Sequence, residues 1–194
     1  MPKLGMEPIR RAALIDATIA EIGRAGSLDI TVSQIAKRAG VSSGLAHHYF
    51  GSKDDILLAA MRHVLSIYAT EVRRRLTQTD TPQGRLRAIV EGSFAPSNFG
   101  ADTIAAWLNF YVLALSSDDA RRLHRIYANR LRSNLRHALR PLVGNRAAEL
   151  ADRTAELIDG AYLNQGLAPG EPNSGAAAAK VMAALDDALG DAEK

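Results

Sequence analysis

Apolar positions recur along nearly the whole chain at the three- and four-residue spacing of helices, and nowhere alternate long enough to suggest a strand. From Ile9 to Gly26 the set Ile9, Ala13, Ile15, Ala17, Ile19, Ala20 and Ile22 predicts one buried stripe, with Gly26 as its C-cap. Thr31 opens a second, short helix, "TVSQIAKRA", stopped by Gly40, and Ser42 or Ser43 caps a third, "SGLAHHYF". Ser52 then caps a long helix from Lys53 to about Thr77, with Asp54 and Asp55 in the first turn where the helix dipole favours acids. Its apolar side carries Ile56, Leu57, Ala60, Val64, Ile67, Tyr68 and Val72.

The polar run "TQTDTPQG" breaks the pattern, and a short helix is expected from about Arg85 to Phe94. After the loop "APSNFGAD" an aromatic helix covers about Thr103 to Leu115. Asp118 and Asp119 open an arginine-rich helix to Arg140, which Pro141 and Gly144 are expected to stop. A helix from about Arg146 to Gly166, the loop "APGEPNSG" and a final Ala/Leu helix to about Leu189 complete the chain. The expected fold is all-α, with about nine helices. Residues 1–52 form a three-helix unit, and residues 53–194 form the helical body behind it.

The short middle pair raises the functional question. Two brief helices meeting at a steep angle need a turn residue tolerant of positive φ, and Gly40 supplies it. Val41 would plug the angle and Ala36 would keep the two helices close, while Ile35, Ala39 and Leu45 or Ala46 would face the core. The outward set is polar or small: Ser33, Gln34, Lys37, Ser42, Ser43, Gly44, His47 and His48. Small residues at the start of the second helix would let it approach base edges in a major groove. Thr31, Tyr49 and Lys53 suit phosphate contacts at the edges of that surface. The other reading of these residues is a plain helical hairpin with a solvated face. His47 and His48 are adjacent, point in different directions on a helix, and lack a third ligand, so they do not suggest a metal site.

Charge sharpens this picture. The net charge of +3 is concentrated in the first 53 residues, where seven Lys/Arg face four acids; the rest holds equal numbers of each sign. A basic end beside a neutral body marks where a polyanion would bind. The 194 residues are 47% hydrophobic with no cysteine, which leaves no disulfide framework and no thiolate metal site. No apolar run is long enough to span a bilayer and no signal peptide heads the chain, so a cytoplasmic protein without membrane contact is expected. Nucleophile elbows, zinc-hydrolase, P-loop and dinucleotide motifs are all missing, so neither an enzyme nor a cofactor is expected.

Seven of the ten aromatic residues lie beyond residue 90: Phe94, Phe99, Trp107, Phe110, Tyr111, Tyr127 and Tyr162. Trp107 and Tyr111 share a helix face and Phe110 flanks them. Such aromatics either pack as core or form a cage for a quaternary ammonium cation, with Tyr127 or Tyr162 closing it. Asn109 or Asp159 could meet a ligand's hydroxyl or charge. Asp159 beside Gly160 equally suits helix packing or a subunit interface. Arg121, Arg122, Arg125, Arg130, Arg132, Arg136 and Arg140 read as one solvated helix face. Small residues in "AAELADRTAELIDGA" and "GAAAAKVMAALDDAL" permit close helix approach, suiting a four-helix dimer bundle.

The stretch "TVSQIAKRAGVSSGLAHHYFGSKDDIL" resembles the DNA-binding segment of the TetR family, with its Gly-Val-Ser turn, His-Tyr-Phe exit and Ser-Lys start of the fourth helix. The resemblance implies three DNA-holding helices, a ligand-binding core, and a homodimer built by the last two long helices. It implies DNA contacts at or near Thr31, Ser42, Ser43, Gly44, His47, His48, Tyr49 and Lys53. Position 47 departs from the tyrosine common there. The segments "MPKLGMEPIRRAALIDAT", "LRAIVEGSF", "AAWLNFY", "RLRSNLRHALR" and "AELIDGAYL" are similar to the branch repressing choline-to-glycine-betaine synthesis, with departures at Ser93 and Tyr162. That implies choline as the effector, a different cationic or apolar small molecule being the alternative; two reading helices about one DNA turn apart in a dimer would read a palindromic double-stranded operator.

Overall fold

Caps decide where most of the helices begin. The computed structural model describes residues 5–190; the first four residues, Lys3 among them, and residues 191–194 lie outside the described residues. Nine α-helices follow one another among the described residues: α1 (Met6–Ala25), α2 (Val32–Arg38), α3 (Ser43–Phe50), α4 (Lys53–Leu76), α5 (Pro82–Ser93), α6 (Ala101–Ser116), α7 (Asp118–Val143), α8 (Ala147–Leu167) and α9 (Ser174–Gly190). A single 3₁₀ turn, Gly144–Arg146, joins α7 to α8. Thr31 and Ser52 each form a reciprocal capping box, with Gln34 and Asp55 respectively, so α2 and α4 both start where the sequence places them.

Three boundaries differ from expectation. Helix α1 begins at Met6, and Ile9 in its first turn is 61% exposed; Leu14, Ala17, Thr18, Glu21 and Ile22 form the buried side. Helix α5 begins at Pro82, because the first helical position has no N–H bond for proline to lose; the Thr81 hydroxyl accepts from Gly84 N instead. Pro141 does not stop α7, which continues to Val143. Proline so near the end sacrifices one hydrogen bond, and Gly144 at φ 56° terminates the helix.

One apolar cluster runs from Leu14, Ile35 and Ala46 through Val64 to Leu135 and Ile158. The N-terminal helices are therefore packed on the body. Gly23 of α1 sits so close to α6 that a Cβ there would collide with the Asp102 carboxylate and lie 2.8 Å from Asp102 Cα. The Asn109 amide donates to the Gly26 carbonyl at 3.4 Å, joining α6 to the C-cap of α1. Glu21 ties α1 to α2 through Arg38 at 2.5 Å and also takes Arg24 at 2.6 Å; the two guanidiniums, Arg24 first, hold its carboxyl below the ordinary range.

Candidate nucleic-acid interface and effector chamber

The α2–α3 turn is made by Gly40 at φ 69°, a left-handed conformation that suits glycine, and by Val41 N donating to Ala36 O at 3.0 Å. Ala36 and Ala46 are buried where the two helices cross. The Ser42 hydroxyl accepts from Leu45 N and caps α3, and the Ser33 and Ser43 hydroxyls lie 3.1 Å apart across the pair. Gly44 faces open space: a Cβ placed there would meet nothing within 4 Å. His47 Nδ1 lies 3.1 Å from the Gly51 carbonyl, and the His48 and Tyr49 rings are neighbours at 5.6 Å. The Arg11 guanidinium stacks over Phe50 at 4.6 Å and fixes the end of α3 against α1. Thr31, Ser33, Gln34, Ser42, Gly44, His47 and His48 are exposed, with Ser43, Tyr49 and Lys53 half-buried beside them. All ten predicted residues therefore lie on or beside the α2–α3 pair and the first residue of α4.

The second site is a cluster of rings inside the body. Trp107 is at its centre, 4.8 Å from Tyr127, 5.7 Å from Tyr111, 6.0 Å from Phe110 and 6.0 Å from Tyr162. Tyr111 donates its hydroxyl to Asp159 Oδ1 at 3.0 Å, joining α6 to α8. Burial is the main influence raising the Asp159 carboxyl above its ordinary value, against the lowering effects of Tyr111, His124 and Arg132. Tyr111, Tyr127 and Tyr162 are all pushed well up, chiefly by burial, so they remain neutral phenols. A partly buried carboxylate among aromatic faces is a setting in which a small organic cation gains on both counts.

Asn109 is not brought into this cluster. Its amide donates to Ala105 O and Gly26 O, so it serves the α6–α1 contact. The Tyr162 hydroxyl is also committed, donating to Ser93 O at 2.6 Å, while its ring packs against Phe94 and Phe99. Asp159 meets its partner within the chain. Three further residues join the cluster without a sequence signal for that role. Tyr68 of α4 lies edge-on to Tyr127 at 5.4 Å, His124 of α7 faces Tyr111 at 5.4 Å, and Asn98 donates to both Ser93 O and the Tyr162 hydroxyl. Tyr68 looked like one more apolar position on α4, and no sequence signal separates it from core. A crevice of about 290 Å³ between α4 and α7, lined by Leu65, Tyr68, Arg73, Leu123, Tyr127 and Arg130, reaches the outer side of the cluster. The arginines of α7 are largely exposed, and Arg132 also pairs with Asp152 of α8 at 3.1 Å.

A glycine-turned helix pair carried by a helical body with an aromatic interior is the architecture of a helix-turn-helix transcription regulator. Residues 14–60 match the family described as "Bacterial regulatory proteins, tetR family", and residues 82–190 match "BetI-type transcriptional repressor, C-terminal". The chain is 51% identical over 182 residues to the HTH-type transcriptional regulator BetI of Brucella anthropi, covering 93% of this chain and 94% of that protein. It is 48% identical over 168 residues to BetI of Agrobacterium fabrum, covering 86% and 82%. A transcriptional regulator from Saccharomonospora viridis, solved in complex with choline, superposes with TM-score 0.79 at 22% identity, covering 91% of this chain and 95% of that one. The chain belongs to the TetR family of DNA-binding transcriptional regulators and carries a BetI-type repressor C-terminal domain. Its relatives are named as regulators of transcription, not as enzymes.

Proposed function

We propose that the protein is a homodimeric repressor, released from its operator by choline, that controls genes converting choline to glycine betaine. The single observation carrying the effector is the Tyr111–Asp159 pair set beside the Trp107 and Tyr127 rings. A trimethylammonium group placed there meets aromatic faces contributing about 0.5–2 kcal/mol each, together with one carboxylate. Phe110 and Tyr162 complete the walls, and the crevice between α4 and α7 gives a route inward. The choline-bound regulator of similar fold and the BetI relatives support the same choice.

Residues 1–52 act as the reading unit and residues 53–194 as the effector and dimer unit. Ser42, Ser43, Gly44, His47 and His48 approach the major groove, while Thr31, Ser33, Gln34, Tyr49 and Lys53 hold its phosphate rims. Leu157, Leu163 and Leu167 leave α8 with an exposed apolar side, which supports pairing of α8 and α9 with a second copy. Two reading units about one DNA turn apart then fit a palindrome. The effector works by population shift: choline binds better to the spacing that no longer fits the operator. Helix α4 couples the two sites, since it begins at Lys53 and passes the rings at Tyr68; α6 adds a second link through Gly23 and Gly26.

Thermal unfolding with added ligand tests the effector. Choline should raise Tm progressively, as a ligand bound only to the folded state must. The uncharged isostere 3,3-dimethylbutan-1-ol should not. Equal responses would discard the cationic effector.

A further inference from the structure

Four buried side-chain polar atoms have no hydrogen-bond partner among the described residues: the Tyr68 hydroxyl, Trp107 Nε1, Arg85 Nε and Asn98 Oδ1. Two of the four belong to rings that lie against Tyr127, at 5.4 Å and 4.8 Å. Buried donors are nearly always satisfied in folded proteins, and leaving one orphaned costs stability that a phenylalanine would not. Tyr68 is 5% exposed, and burial pushes its hydroxyl up to about 12. The Ser93 hydroxyl lies near enough to lower that pKa somewhat, but its own proton goes to the Ile89 carbonyl at 2.9 Å, and the Tyr68 hydroxyl is left without a partner in hydrogen-bond geometry. Tyr68 lies edge-on to Tyr127, which packs on Trp107, the ring beside the Tyr111–Asp159 pair. A neutral phenol beside the Tyr127 ring, its proton given to no partner, can donate to an uncharged polar atom.

We propose that Tyr68 is an effector-binding residue whose hydroxyl hydrogen-bonds the alcohol oxygen of the ligand seated by its cationic end among the Trp107, Tyr111 and Tyr127 rings. This rests on the effector reading above and extends it. Recognition then has two parts: the ring cluster and Asp159 select the cation, and Tyr68 selects an alcohol at the short distance set by a two-carbon spacer. The second part sits on α4, about 22 Å along the helix from Lys53 at 1.5 Å per residue. The ligand's polar end therefore engages the helix that carries the reading unit. A cation lacking the hydroxyl fills the cage but makes no bond to α4.

The test is isothermal titration of the full-length wild type and Tyr68→Phe with choline and with ethyltrimethylammonium, which differs only by the missing hydroxyl. Phenylalanine keeps the edge-on ring contact, so a purely structural tyrosine would leave the ratio of the two affinities unchanged. Wild type should prefer choline by about tenfold, the scale of one buried hydrogen bond. Tyr68→Phe should bind both cations within about twofold of each other, near the wild-type value for ethyltrimethylammonium. An undiminished preference for choline in Tyr68→Phe overturns the role of Tyr68 and leaves the cage intact. Failure of wild type to bind either cation overturns the effector reading and this inference together.

Discussion

The turn around Gly40 is held by contacts that are close in sequence: Val41 to Ala36, Leu45 to Ser42, Ser33 to Ser43. The ring cluster is held by contacts that are far apart: Tyr111 of α6 to Asp159 of α8, Trp107 to Tyr127 of α7, Tyr68 of α4 to Tyr127. In the first region each side chain's task follows from its neighbours. In the second it follows only from which helices pack together. Exposure differs in the same way, since the outer face of α2–α3 is polar and open while the cluster is buried at Trp107, Tyr127 and Tyr162 and half-buried at Tyr111 and Asp159. On the proposed reading, the first region would meet DNA as a preformed surface, while the second would open or rearrange to admit an effector, and that rearrangement is what would be passed to DNA.

The largest expected effect separates surface from fold. Gly44→Trp should reduce operator affinity at least about a hundredfold, because the groove cannot admit the ring, yet leave Tm and oligomeric state unchanged. The open space at Gly44 is what makes the fold tolerant. Fluorescence anisotropy beside analytical ultracentrifugation would decide it, and normal operator affinity would break the docking geometry.

Next comes the chamber. Trp107→Leu removes the ring that packs on Phe110, Tyr111, Tyr127 and Tyr162 and should weaken choline about tenfold or more while keeping operator affinity within about twofold. Calorimetry and anisotropy on the same preparation check both halves.

Asp159→Asn should divide function from stability. A carboxyl whose native pKa is raised is destabilising when ionised, and that penalty fades as pH falls through the raised value. Asparagine should therefore raise Tm near neutral pH, and the gain should shrink on acidification. Choline affinity should fall in the variant, and in wild type it should decline with pH as Asp159 takes up its proton. A Tm that drops at neutral pH would assign Asp159 to packing instead.

The smallest effect belongs to the rim. Lys53→Ala should cost about threefold in affinity for every DNA sequence and reduce the slope of log K against log salt by about one. A loss confined to one operator base would contradict a phosphate role.

How much of this was legible follows the same division. Thr31, Ser42 and Ser52 announce their caps, and Gly26, Gly40 and Gly144 their positive φ, because both act within a turn or two. Local rules misplaced the ends of α5 and α7, where the cost of Pro82 and Pro141 depends on their position within the helix. Trp107, Phe110 and Tyr111 could be grouped by spacing on one helix, and Tyr127, Tyr162 and Asp159 only by residue type and resemblance. Tyr68 and His124 could not be found at all, since their role depends on α4 and α7 facing α6. Asn109 carried the right chemistry on the wrong side of its helix, where it meets α1.

The most direct test titrates choline into the purified protein bound to DNA from upstream of its own gene, at fixed salt. Release of the DNA at millimolar or lower choline, with none from 3,3-dimethylbutan-1-ol at the same concentration, is the predicted result. A complex that choline leaves intact would contradict the proposal that the ring cluster reports choline to the reading helices.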